Sequence, residues 1–221
     1  STVGQEIVKL YDKNFGVRPT LIRNAAPFAD LTPSQNPTDG PIRLVHSGGA
    51  VPGRALETTI NAVAAAGKRF TLDLYLVPAN DGGKYLRKLK ILAQESDNIF
   101  FREPVKPAEL PQVLNRYDVG VFWIPPFNMN ARYTLPNKIF DFIQARLAIA
   151  VGPTKEMANI VEEFQLGVVS SGFSNENIVE TLRSLNSEKI NEYKQNTNAA
   201  AHELCFENEA KNIEKIMKSL L

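Results

Sequence analysis

Apolar residues recur along the chain in an order that predicts alternating strands and helices. Short, nearly all-apolar runs indicate strands, and segments of about 10–15 residues with helical spacing indicate helices. The predicted strands span residues 42–47, 70–77, 98–102, 119–124, 147–151 and 167–170. The predicted helices span residues 55–66, 84–94, 108–116, 136–146, 155–164 and 175–185, followed by a long helical tail. Because such alternation is typical of a parallel sheet covered on both faces, we predict a doubly wound, Rossmann-like α/β domain from about residue 41 onward.

The first 40 residues do not follow this alternation. Residues 5–15 have apolar side chains at helical spacing, and Gly16 predicts the end of that helix. Residues 17–22 predict a short strand. Residues 24–41 form the best linker candidate, because four prolines exclude a helix or a central strand there: Pro27, Pro33, Pro37 and Pro41. Since the chain opens at Ser1 and not at a Met, we also expect part of a longer protein to be missing.

Composition and charge exclude several classes of protein. The 221 residues include 25 Lys and Arg against 24 Asp and Glu, which gives a net charge of +1. This balance argues against general nucleic-acid binding, which needs a basic surface. The single Cys cannot form an internal disulfide. One Cys and two His are also too few of the usual ligands for us to expect a structural zinc site. No apolar run approaches about 18 residues, so the sequence predicts no membrane-spanning helix.

The first candidate site follows the first predicted strand, because open parallel sheets bind ligands beyond the carboxyl ends of their strands. Residues 47–54 form a glycine-rich loop in which Gly48 and Gly49 would allow a ligand to approach the backbone. Ala50 stands where a dinucleotide fingerprint requires Gly. The spacing nearly matches a P-loop, but Arg54 replaces its Lys and no Ser or Thr follows to hold magnesium. Arg54 could still bind phosphate oxygens, and the alternative is a tight turn with a solvent-facing Arg.

The second candidate site is the start of the helix predicted for residues 136–146. Lys138 would lie in its first turn, where a cation is unfavourable unless an anion is bound nearby. Asp141 shares a helix face with Lys138, so a salt bridge between them is one interpretation. The other gives Lys138 a phosphate and Asp141 a pair of vicinal sugar hydroxyls. His46 is interpreted as a packed core histidine, and we identify no general base.

Three segments resemble the donor half of GT-B glycosyltransferases of the large group 1 family. The most specific is LPNKIFDFI at residues 135–143, which is similar to the LPNKLFEY helix of bacterial members that build surface polysaccharides. GRALE at residues 53–57 resembles the GRGLE loop of these enzymes, and residues 160–167 resemble a third segment. The similarity covers nearly the whole chain. It implies that residues 1–40 are the end of an acceptor-binding domain plus linker, and that residues 41–221 are a Rossmann-like donor-binding domain with a C-terminal helix.

The resemblance also implies roles for individual residues. It implies that a nucleoside-diphosphate sugar is bound as a co-substrate without a metal or other cofactor. Gly48 and Gly49 would let the diphosphate approach the backbone, and Arg54 and Lys138 would neutralise it. The other donor-binding residues would be Arg102, Val105, Leu135, Asn137 and Asp141. Among these, Asp141 occupies the place of the ribose-binding Glu, and the segment from Arg102 to Val105 would hold the base.

The function implied is transfer of a sugar to an acceptor hydroxyl, of the hexosyltransferase type with retention, in bacterial surface polysaccharide or glycolipid synthesis. The acceptor would be a glycan or lipid-linked glycan, bound by a missing N-terminal domain that also holds any catalytic residue. The chain alone is therefore expected to be inactive. We expect a cytoplasmic location, with peripheral association with the inner membrane face as an option, and no nucleic-acid partner. Two alternatives stay open: a UDP-sugar epimerase of the same fold, and a non-enzymatic Rossmann module that binds a nucleotide or a protein.

Overall fold

In the computed structural model, which describes residues 1–35 and 40–220, six parallel strands form one sheet. The strands are β1 (Ile42–Ala50), β2 (Phe70–Pro78), β3 (Ile99–Arg102), β4 (Val119–Phe122), β5 (Ala148–Val151) and β6 (Gly167–Val169). Their order in the sheet is β3-β2-β1-β4-β5-β6, and each neighbouring pair is parallel. The predicted doubly wound sheet is confirmed. Its strand order reverses between β1 and β4, which is where ligands bind to such sheets.

Helices cover both faces of this sheet. They are α1 (Gln5–Phe15), α2 (Leu56–Ala66), α3 (Lys84–Leu92), α4 (Leu110–Leu114), α5 (Met129–Arg132), α6 (Asn137–Gln144), α7 (Lys155–Glu163), α8 (Asn175–Arg183), α9 (Ser187–Ala200) and α10 (Phe206–Leu220), with a 3₁₀ turn at Pro107–Glu109 before α4. Side chains alternate between the faces, so Leu44 packs in the core cluster that contains Ile60 of α2, whereas Val45 packs with Phe140 of α6. The central strands β4 and β5 are therefore fully buried from both sides, as their apolar sequences predict, whereas the edge strands β3 and β6 are only partly buried.

Strand β1 is longer than the sequence predicts. It continues through Gly48, Gly49 and Ala50, which the sequence pattern places in a loop. These residues pair in register with the last three residues of β2, so the neighbouring strand supplies backbone partners that a local glycine signal does not reveal. Among the described residues, β1 pairs with β4 only at Leu44 and Val45. The carboxyl end of β1 is therefore held by β2 and open towards β4.

The N-terminal segment confirms one prediction and corrects another. Helix α1 has the predicted bounds, and Gly16 ends it with a left-handed φ of +63°. The strand predicted for residues 17–22 is wrong. Within the described ranges, this segment makes a single bridge between Thr2 and Leu21 and no longer ladder, so nothing extends it into a strand.

Two further differences lie in the second half of the chain. The predicted loop at residues 125–135 contains the short helix α5, which the Asn128 side chain caps by accepting a hydrogen bond from the amide of Ala131 at 2.7 Å. Four residues give too little periodicity to be recognised in the sequence. The helical tail is divided into α9 and α10, because the chain turns between them and the amide of Phe206 donates to the carbonyl of Ala26 at 2.9 Å.

The residues before β1 are packed on the rest of the structure. The Glu156 carboxylate of α7 accepts hydrogen bonds from the first two amides of α1, at 3.1 and 2.6 Å. The buried Arg146 guanidinium donates to the carbonyl of Ala29 at 2.7 Å, and Glu209 of α10 forms an ion pair with Arg23 at 3.1 Å. The described residues of the predicted linker thus lie on α6 and α10, and Pro37 lies outside the described residues. The domain boundary at residue 40 stays a prediction.

Candidate functional site

The candidate site lies at the switch point, where the end of β1 faces the start of α6. Leu135 is buried and anchors the preceding loop, and Pro136 takes an extended conformation that starts α6. The first turn of α6 therefore points its amide groups and Lys138 towards the end of β1. A Cβ atom on Gly48 would lie 3.2 Å from Nζ of Lys138, so the predicted glycine and cation are in direct contact.

Lys138 is buried although it carries an amine, since only 7% of its surface is exposed. Its Nζ lies 3.1 Å from Nε2 of His46 and 4.0 Å from the ring centre of Phe122. Burial, together with the nearby charge of Arg54, lowers the pKa of Lys138 to about 7, although Asp141 acts in the opposite direction. Lys138 donates to His46, and among the described ion pairs none joins Lys138 to Asp141, so the salt bridge considered from the sequence is not found there.

His46 lies beneath this amine at the end of β1. It is 2% exposed, and its Nδ1 lies 3.0 Å from the carbonyl oxygen of Val121. Because a carbonyl only accepts, Nδ1 carries the proton and Nε2 is left as an acceptor for Lys138. Burial and the charge of Lys138 keep the pKa of His46 well below its usual range. His46 is in the core, as the sequence suggested, but its contact with Lys138 was not predicted.

Arg54 stands on the other side of the end of β1. It is half-buried and lines a cavity of about 320 Å³ together with Pro136 and Phe122. In the part of the chain that the structure describes, none of the ion pairs includes Arg54. The side chains of Arg54 and Lys138, with the first turn of α6, therefore make a locally positive site in a protein of nearly zero net charge.

A larger cavity, of about 650 Å³, opens on the opposite side of the start of α6. Asn137 and Asp141 line it, facing residues 24–31 of the predicted linker and the first turns after β3. The Asn24 side chain donates to Oδ1 of Asn137 at 2.7 Å and so joins the linker to α6. Burial raises the pKa of Asp141 to about 6, against the opposing effect of Lys138. The cavity thus has mainly apolar walls and a carboxyl group beside the positive site.

The remaining predicted residues lie farther from this centre. The exposed Arg102 forms an ion pair with Asp73 at 2.7 Å, and Asp73 also accepts from the hydroxyl of Tyr117 at 2.6 Å. Val105 is half-buried in the connection that follows. The signal for this polar network in the sequence is Asp73, an acid within the apolar strand β2. Within the described residues, no three or more His, Cys, Asp or Glu side chains gather where they could hold a metal ion.

Comparison with known proteins shows what the fold is similar to. WaaG, a glycosyltransferase involved in lipopolysaccharide biosynthesis, matches with a TM-score of 0.72 at 15% identity over 97% of this chain and 61% of WaaG. A glycosyltransferase from Rickettsia africae matches with a TM-score of 0.76 at 9% identity over 98% of this chain and 62% of that one. The C-terminal domain of LpcC, a group 1 family glycosyltransferase from Francisella tularensis, matches with a TM-score of 0.54 at 14% identity over 75% of this chain and 91% of that domain.

These matches establish the fold alone. No family model matches the chain, and no curated protein matches its sequence. The similar structures confirm the Rossmann-like domain that the sequence resemblance implied, and the chain spans about three fifths of the two longer ones. Among the described residues, no helix is both long and apolar enough for a membrane span.

Proposed function

We propose that this chain is the donor-binding part of a glycosyltransferase that moves a sugar from a nucleoside diphosphate to an acceptor hydroxyl. The observation that carries the proposal is the positive site at the switch point. There, Arg54 and Lys138 flank the glycine backbone of β1 and the start of α6. A diphosphate is the ligand that these groups suit, because it can accept hydrogen bonds from two cations and from helix amides together. The fold neighbours named as glycosyltransferases support the same conclusion.

The larger cavity suits the nucleoside part of the donor. Asn137 lines this cavity and Pro136 lines the cavity beside Arg54, so the two cavities reach neighbouring residues at the start of α6. Asp141 would accept hydrogen bonds from the ribose hydroxyls once it is ionised, which the nearby cations favour. The walls formed by Pro107, Pro111 and the linker would cover the base. We also propose that Val105 and the backbone after Arg102 help to hold the base.

Transfer is assisted by the same groups that bind the donor. As the bond to the sugar breaks, negative charge develops on the leaving diphosphate. Arg54, Lys138 and the amides of α6 would stabilise that charge where it forms. This arrangement would replace a metal ion, so we propose a metal-independent transferase. Retention of configuration, hexosyl transfer and a role in bacterial polysaccharide or glycolipid synthesis at the inner membrane face belong to the proposal too.

A thermal-shift panel with UDP, GDP, ADP and dTDP tests donor binding directly. A nucleotide at 100 times its Kd should stabilise the folded protein by about 2.7 kcal/mol. Arg54→Ala should remove most of that shift. Arg116→Ala is the matched control, because Arg116 is exposed and lies just before β4, at the amino end of the parallel strands and away from their carboxyl ends. An unchanged shift in Arg54→Ala, or no shift with any of the four nucleotides, would contradict the proposal.

Turnover distinguishes the proposed reaction from the alternatives. The chain alone should transfer nothing, because the acceptor and any general base are assigned to a preceding domain. With a nucleotide sugar and no acceptor, release of an epimerised sugar would favour an epimerase. Nucleotide binding without turnover in the longer protein, when a range of glycan acceptors is supplied, would favour a non-enzymatic module.

A further inference from the structure

The contact between His46 and Lys138 joins two groups that are both basic. Nδ1 of His46 donates to the Val121 carbonyl, so Nε2 can only accept, and Nζ of Lys138 lies 3.1 Å from it. Both residues are almost completely buried, at 2% and 7% exposure. A buried neutral histidine has one N–H and needs one acceptor for it. His46 satisfies that N–H with the Val121 carbonyl and directs its second nitrogen at the amine of Lys138, the residue proposed to bind phosphate.

The groups around Lys138 hold its amine in place, but they do little to stabilise a positive charge on it. The ring of Phe122 lies on one side at 4.0 Å, Gly48 lies on another, and His46 lies beneath. The charged or titratable groups that face the amine are His46 from β1, Arg54 from the connection to α2, and Asp141 from α6. Asp141 makes no described hydrogen bond to it. A buried amine in this setting is readily neutral when no ligand is present.

We propose that His46 is a positioning residue of the donor site: it holds the Lys138 amine against Gly48, and the nucleoside diphosphate binds together with one proton that Lys138 takes up. The inference rests on the proposed function, because it assigns the diphosphate to this site. The negative charge of the diphosphate would favour the ammonium form of Lys138. His46 would keep one N–H of that ammonium, leaving the others directed at the phosphate oxygens.

Calorimetric titration of the chain with the best-binding nucleoside diphosphate tests the inference. Heats measured at pH 8 in two buffers of different ionisation enthalpy give the number of protons taken up. Because burial lowers the pKa of the Lys138 amine to about 7, the amine is mostly neutral at pH 8, so binding should take up most of one proton there. Lys138→Met should abolish the uptake at pH 8.

Variants of His46 separate positioning from simple packing. His46→Phe fills the same space without an acceptor and should weaken nucleotide binding roughly tenfold and change the proton count. His46→Gln supplies an acceptor oxygen and should restore part of both. If packing alone mattered, both variants would lose stability and keep the wild-type proton uptake. Equal affinity and equal uptake in His46→Phe and in wild type overturn the inference.

A measurement on the unmodified protein guards against variants that do not fold. Nitrogen-15 NMR of the His46 ring should show an unprotonated Nε2 between pH 6 and 8, with and without nucleotide. A protonated Nε2 overturns the inference. If wild type binds a nucleotide with no proton uptake at pH 8, the proposed function stands and the role of His46 fails. If wild type binds none of the four nucleotides, both fail.

Discussion

Replacing Gly48 with Ala should lower both the stability of the fold and its affinity for a nucleotide. Gly48 has a φ of +127°, where a residue with a side chain costs about 1–3 kcal/mol. The new Cβ would also lie 3.2 Å from Nζ and 3.5 Å from Cε of Lys138. Lys138 is enclosed by His46 and Phe122, so its amine can give way only by leaving its position at the end of β1.

The expected loss can be measured by thermal unfolding. For a domain of 150–250 residues, each kcal/mol lowers Tm by roughly 2–4 °C, so Gly48→Ala should melt about 2–12 °C lower than wild type. The stabilisation by a nucleoside diphosphate should fall in the same variant. The matched control is Gly49→Ala, because Gly49 has no positive φ and its added Cβ would meet only the Val51 side chain, at 3.3 Å. Equal losses in the two variants, or an unchanged nucleotide shift in Gly48→Ala, would refute the reasoning.

Three other substitutions test the rest of the structure. Asp141→Asn should melt above wild type at pH 7, because burial raises the pKa of Asp141 to about 6 and disfavours the charged carboxylate that wild type carries at this pH. The difference in Tm should shrink as the pH falls from 6 to 4, in melts recorded by circular dichroism. Arg146→Met should reduce the free energy of unfolding, measured in urea, by about 2 kcal/mol or more, because the Ala29 carbonyl and other buried acceptors lose a charged donor. A loss below about 0.5 kcal/mol would contradict this. Gly120→Ala should cost about 1–3 kcal/mol, because its Cβ would overlap the Phe142 ring; adding Phe142→Leu should recover part of the loss if overlap is the cause.

The sequence is sufficient for the parts of the fold that depend on local periodicity. The apolar alternation predicts all six strands of the sheet, and helix α1 has its predicted bounds. The predicted strand at residues 17–22 fails because a strand needs a neighbour, and Leu21 has a single bridge among the described residues. The predicted end of β1 is wrong for the opposite reason, because Gly48 and Gly49 resemble a turn in the sequence and only their pairing with β2 makes them part of the strand.

The candidate site shows the same division. Lys138 and Asp141 could be placed on one helix because they lie three residues apart, and the structure keeps them close. The partner of Lys138 is His46, which is 92 residues away, and no local pattern connects them. The resemblance assigned the segment from Arg102 to Val105 to the base, which stays a prediction, and it did not indicate that Asp73 of the neighbouring strand holds the Arg102 guanidinium. Long-range partners of charged groups depend on strand order, which the sequence alone did not supply.

The extended pairing of β1 with β2 has a consequence for the thermodynamics of ligand binding. In many phosphate sites a glycine-rich loop must become ordered around the ligand, and fixing each mobile residue costs roughly 1–2 kcal/mol in conformational entropy. Here Gly48, Gly49 and Ala50 are already fixed by the ladder, while their edge towards β4 is open. A ligand at this edge would meet a preorganised surface and avoid an entropic cost on the order of 3–6 kcal/mol for three residues. Binding should therefore depend mainly on the charges that meet the ligand and little on movement of the backbone beneath it.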